Sequence, residues 1–125
     1  MRQVIHSSFA PEAIGPYSQA IETDQFIFTS GQIPINPKTG KIEGATIEAQ
    51  AEQVMQNIKS ILAECGIGMD RIVKTTCFLA DLADFAAFNE VYGKYFPEAA
   101  PARSCFQVAA LPMGAKLEVE CIAAK

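Results

Sequence analysis

The residues of this chain that offer chemistry are an arginine, a cysteine, two glutamates and a serine-glycine pair. In the stretch PARSC, Pro101 to Cys105, an arginine precedes a cysteine by two positions. A strand puts residues i and i+2 on one face, so Arg103 and Cys105 point the same way. The surrounding run is suited to burial, and a cation facing inward needs an anion, because an unpaired buried charge costs several kcal/mol. Either a protein carboxylate or a ligand must supply it. The closing stretch KLEVECIA alternates Leu117, Val119, Cys121 and Ala123 with Glu118, Glu120 and Ile122. Set beside a strand presenting Arg103, Cys105 and Gln107, the two glutamates form an acid–base and carboxylate-binding group. In the plainer reading they face water, and one of them pairs with Arg103.

The other candidates are equally double-sided. A cysteine nucleophile needs a base or a lowered pKa. Arg103 would favour a Cys105 thiolate, but the one histidine, His6, lies near the N-terminus, and a packed thiol is the simpler role. Ser30 and Gly31 in TSGQIP offer a hydroxyl and an accessible amide, or merely end a strand and cap a turn; the glycine-rich spacing and lysine of a phosphate loop are missing. Tyr17, after Gly15 and Pro16, lines a pocket or covers the core. Asn89 falls in a helix, where a polar residue is ordinary. The four cysteines, Cys65, Cys77, Cys105 and Cys121, contain no C-x-x-C pair. They read as buried free thiols, and no metal site is expected.

These residues need elements to hold them. APEAIGPYS, with two prolines and a glycine, is an ordered loop. Phe26, Ile27 and Phe28 begin a strand stopped at Gly31 and Pro34, and NPKTGK is a turn in which Gly40 is free to take a positive φ. From Thr46 the apolar period becomes helical: Ile47, Ala51, Val54, Ile58, Ile61, Leu62 and Cys65 recur at three- and four-residue steps. Thr46 suits the N-cap and Gly66 the position past the C-cap. A strand is expected over 72–80 and a second helix from 81 or 84 to 95, with Phe85, Phe88, Tyr92 and Tyr95 on one face. Final strands are expected over 103–109 and 117–123. This order predicts an α+β domain, a mixed sheet with two α-helices packed on one face. Self-association is the economical cover for the other face.

At 125 residues the chain fits one domain, residues 1–125, with a single core. Its apolar share of 50% and charged share of 19% are those of a globular protein. A net charge of −4 disfavours general affinity for phosphate backbones. No stretch is long enough to span a membrane and MRQVIHSS lacks a signal core, so a cytoplasmic location is expected.

AIGPYSQA, TSGQIPINPKTG, IVKTT, DFAAFNEVY, PARSC and LEVE, in this order and spacing, resemble the RidA (YjgF-like) family of reactive-intermediate deaminases. The resemblance runs from about Ala10 to Ala123. It implies a chorismate-mutase-like α+β fold and a homotrimer whose sheets form a central barrel, with ligand clefts between subunits. The implied activity is 2-iminobutanoate/2-iminopropanoate deaminase: hydrolysis of enamine and imine acids such as 2-aminoacrylate to 2-keto acids and ammonia, without a cofactor. It also implies that Arg103 holds the substrate carboxylate, that Glu118 orients the water, and that Cys105 lines the catalytic site. Tyr17, Ser30, Gly31 and Asn89 match substrate-binding positions. Two departures stand out: many relatives carry an acidic residue at the position of Gln107 and an arginine at that of Ala110. Both bear on substrate range.

Two other readings compete. Relatives described as regulators or redox-triggered holdases suggest a binding module in which Arg103 grips a keto acid; the anionic Glu118 would serve such a receptor poorly. A ribonuclease or translation inhibitor is disfavoured by the acidic charge and by the lack of a histidine near the cleft.

Overall fold

The computed structural model describes residues 1–125. The longest helix, α1 (Ile47–Glu64), forms as its period requires. Thr46 caps it, accepting from Ala49 N–H at 3.1 Å, and Gly66 takes the left-handed conformation at φ 74° that ends it. Its apolar stripe, Ala51, Val54, Met55, Ile58, Ile61 and Leu62, is wholly buried. Complete burial of such a side chain contributes about 1.5–3 kcal/mol, so this face fixes where the helix lies.

Eight strands accompany it. In order, β1 (Gln3–Ile5), β2 (Ala20–Glu22), β3 (Phe26–Thr29), β8 (Leu117–Ala124), β6 (Ile72–Leu79) and β7 (Ala102–Gln107) form one sheet. Only the β6–β7 pair is parallel, and the crossover between them carries the second helix, α2 (Phe85–Lys94). β4 (Ile35–Asn36) and β5 (Lys41–Ile42) make a separate small hairpin, turned at Gly40 with φ 72°. A mixed sheet with two helices is the α+β architecture the pattern predicts. The first third is more regular than its turn residues suggest: β1 and β2 are too short for periodicity to reveal them, and the sheet specifies them by pairing.

One face of the sheet is dry. Ile27, Thr75, Cys77, Leu79, Leu117, Val119, Cys121 and Ala123 are all buried there, next to Phe88 and the stripe of α1. The opposite face carries Ile21, Phe28, Thr76, Phe78, Phe106, Glu118 and Ile122, and neither helix covers it; Phe28 and Phe106 are 43% and 45% exposed.

This arrangement corrects one expectation. The strand of Arg103 does not lie beside the strand of Glu118, because β6 runs between them. Arg103 is in register with Thr75, and so shares the covered face; Glu118 is in register with Phe78, on the open face. No carboxylate makes an ion pair with Arg103. The cause is burial. β8 alternates four deeply buried side chains and belongs inside the sheet, whereas β7, part-exposed throughout, takes the edge.

Candidate functional site

Glu118 stands at the wall of a cavity of about 550 Å³ lined also by Glu12, Ile14, Tyr17, Ser30, Gly31 and Met113. Its carboxylate lies against Gly31 so closely that a Cβ there would be 2.3 Å from Oε2. Glycine at this position is what lets the carboxylate come so close; its backbone angle is not unusual. Glu118 makes no hydrogen bond and no ion pair within the chain, and burial, reinforced by Glu120, raises its pKa above the ordinary glutamate value. A part-buried carboxyl with free lone pairs and a raised pKa is suited to hold and deprotonate a water.

The opposite wall comes from the strand end after β3. Ser30 N–H donates to the Gln19 carbonyl and Gln32 N–H to that of Val119, at 2.9 and 2.8 Å, leaving the Gly31 amide between them without a partner. Ser30 Oγ donates to the Ser18 carbonyl at 2.6 Å, so it helps tie the loop as well as lining the cavity. Tyr17 is exposed, and its hydroxyl accepts from Ile14 N–H at 3.4 Å. It therefore lines the cavity and does not cover the core.

Three buried amides that sequence reasoning did not single out hold these walls. Gln19 accepts from Ser7 N–H and donates to the Ser7, Ala10 and Pro11 carbonyls, fastening the N-terminal loop. Asn57 of α1 donates to the carbonyls of Ile33 and Ile35 at 3.3 and 3.0 Å. Gln50 donates to Gly44 and accepts from Lys116 N–H, both at 2.9 Å. The signal was present for the last two: each is a polar residue set against the apolar stripe of a helix.

Arg103 occupies the other side of the sheet, at its edge. Nη1 donates to Asn89 Oδ1 of α2 at 2.7 Å, and the guanidinium lies over the rings of Tyr92, Phe85 and Phe88, 4.8, 5.4 and 5.9 Å from their centroids. A guanidinium carries five N–H donors, and the rest of them have no partner. Cys105 follows on the same face, part-buried. Burial raises its pKa, and Arg103 only partly offsets that. This argues against a standing thiolate. The thiol of Cys77, its register partner on β6, is pushed up to about 12 by burial. His6 bonds the Glu12 carboxylate at 3.0 Å, in solvent. Of the departures, Gln107 accepts from Leu82 N–H at 2.9 Å, and Ala110 is exposed.

The structure thus brings Glu118, Gly31, Ser30 and Tyr17 together, and separately Arg103, Asn89 and Cys105. It does not bring the two groups together within one chain.

Comparison with known proteins agrees with this architecture. Residues 7–125 match the profile of the family described as endoribonuclease L-PSP. The chain is 51% identical to the chloroplastic Reactive Intermediate Deaminase A of Arabidopsis thaliana over 98% of its own length and 65% of the relative's. It is 52% identical to protein DfrA of Myxococcus xanthus, over 98% and 95% of the two chains. The crystal structure of Escherichia coli TdcF with bound serine superposes with a TM-score of 0.95 at 44% identity, covering 98% of each chain. The chain belongs to this family, that of the YjgF/RidA proteins.

Proposed function

We propose that the protein is an imine deaminase that hydrolyses 2-imino acids, and their enamine tautomers, to 2-keto acids and ammonia. The observation that carries the reading is Glu118: an unpartnered carboxyl of raised pKa, set against the free Gly31 amide in a cavity. The cavity's only charged side chains are Glu12 and Glu118, so it has no cation of its own for a substrate carboxylate. Arg103 has N–H donors to spare and no counter-ion. A complete site therefore forms where the Arg103 edge of one copy meets the Glu118 cleft of another, which fits a homotrimer with a central barrel and clefts between subunits. The uncovered, phenylalanine-bearing sheet face would supply the barrel lining.

In the reaction, the enamine first tautomerises to the imine, which Arg103 holds by its carboxylate in a two-point grip. Glu118 takes a proton from a water as that water adds to the imine carbon and passes it to the nitrogen; the carbinolamine hydroxyl then yields its proton to the nitrogen through the same carboxyl as ammonia leaves and the keto group forms. Cys105 contributes shape and backbone groups. A hundredfold gain over the spontaneous reaction needs only about 2.7 kcal/mol, within reach of positioning and one oriented water. The name of the Arabidopsis relative supports this reading, as does the serine, itself an amino acid, bound to TdcF. The family description of an endoribonuclease finds less support, since the anionic cavity would repel phosphates.

The test generates the imine in situ with a threonine or serine dehydratase and traps the survivor with semicarbazide. The wild-type protein should outrun Arg103→Ala and Glu118→Gln by about a hundredfold each. Equal rates at the buffer level, with all three proteins folded, would reject the enzyme and leave a ligand-binding regulator.

A further inference from the structure

Phe85 stands on the first turn of α2, 38% exposed, where its ring serves no core, yet it lies over the guanidinium of Arg103 at 5.4 Å. Tyr92 lies two turns further along and closer still, at 4.8 Å. We infer that Phe85 and Tyr92 are positioning residues for Arg103, whose rings cover the faces of the guanidinium and leave its in-plane edge to select a planar carboxylate. The inference rests on the reading of Arg103 as the carboxylate holder.

The parts lock one another. The Tyr92 hydroxyl and Thr75 Oγ1 share a hydrogen bond of 2.8 Å, both residues being buried, so the ring of Tyr92 is fixed from below. Thr75 is also the register partner of Arg103, so one residue of β6 aligns both the arginine backbone and the ring on which the arginine rests. Asn89 adds an in-plane restraint at Nη1. Rings within about 6 Å attract a cation through their quadrupole, and at 4.8 and 5.4 Å they occupy space beside the guanidinium that a competing acceptor would need. Ligands then meet a flat fork, which matches the two oxygens of a carboxylate. An ammonium has no plane to stack, so lysine cannot replace the arginine here.

The test is calorimetric binding of a stable 2-keto acid, 2-oxobutanoate, alongside steady-state kinetics. Phe85→Leu should weaken binding about threefold to fivefold, and raise KM to match with kcat unchanged. Phe85→Tyr should restore both. Because Phe85 is outside the core, the leucine variant should unfold in urea as wild type does. Tyr92→Phe, which keeps the ring but frees it from Thr75, should weaken binding by no more than Phe85→Leu does, and Arg103→Lys should bind as poorly as Arg103→Ala. Wild-type binding by Phe85→Leu, or restored binding by Arg103→Lys, overturns the inference. Should Arg103→Ala itself bind like wild type, the carboxylate reading falls, and the inference with it. Loss in Arg103→Ala with none in Phe85→Leu rejects the positioning role alone.

Discussion

Arg103 and Glu118 are both charged, both part-buried and both without a counter-ion, yet the fold keeps them so by opposite means. The arginine, on an edge strand under the helices, is surrounded by three aromatic rings and one amide. The glutamate, on an interior strand facing the open side, is given nothing: glycine clears the space against it, and burial and Glu120 push its pKa up. A cation can be wrapped in ring faces because their quadrupole attracts it, whereas an anion in the same surroundings would be repelled. The anionic half is instead left at a cavity, where water can supply the missing donors. Backbone strain follows the same division. Met113, the one non-glycine residue at positive φ, 58°, lines the Glu118 cavity, and the arginine side has no such residue.

If the anionic half depends on cleared space, Gly31→Ala should produce the largest effect. The new Cβ would drive the carboxylate aside, lowering kcat/KM about a hundredfold, or about 2.7 kcal/mol. Stability should barely change, since the obstructed atom ends a flexible side chain. A variant with wild-type turnover would show that the carboxylate's place is not the point. Asn57→Ala tests the wall behind it. Two carbonyls lose their buried donor, so urea denaturation should record a loss of about 1–3 kcal/mol. An unchanged midpoint would mean that water replaces the amide.

Met113→Gly should raise stability by about 0.5–1 kcal/mol net, because the relief of left-handed strain, about 1–2 kcal/mol, exceeds the chain entropy that a glycine adds, about 0.4–1 kcal/mol. A lower melting temperature would refute stored strain. The smallest effect concerns pH. The folded-state pKa of Glu118 is raised, so the protonated form adds stability that is complete below the unfolded value, near pH 4, and fades as pH rises through the folded value. Glu118→Gln should therefore gain on wild type as pH climbs through that window, with no gain in more acid solution. A difference constant with pH would contradict the raised pKa.

Much of this was open to a reader of the sequence. The helical stripe from Ile47 to Leu62, its Thr46 cap and its Gly66 stop are local, and the structure reproduces them. The alternation in LEVECIA named the buried face of β8 correctly, and the i, i+2 rule put Arg103 and Cys105 on one face. The second helix begins at Phe85, and its buried face is Phe88, Val91 and Tyr92. Phe85 shares with Phe88 and Tyr92 the face that meets the arginine but is 38% exposed there, which a periodicity argument cannot register. The arginine's missing anion was sought among neighbouring glutamates, because proximity in sequence suggested proximity in the sheet.

Local rules therefore reach as far as faces, caps and stops, since each depends on residues a few positions apart. Strand order does not depend on them. That β6 would separate β7 from β8, and turn Arg103 and Glu118 to opposite faces, followed from burying the most apolar strand in the middle of the sheet. Such a choice is a sum over contacts across the whole chain, and no short stretch of sequence contains it.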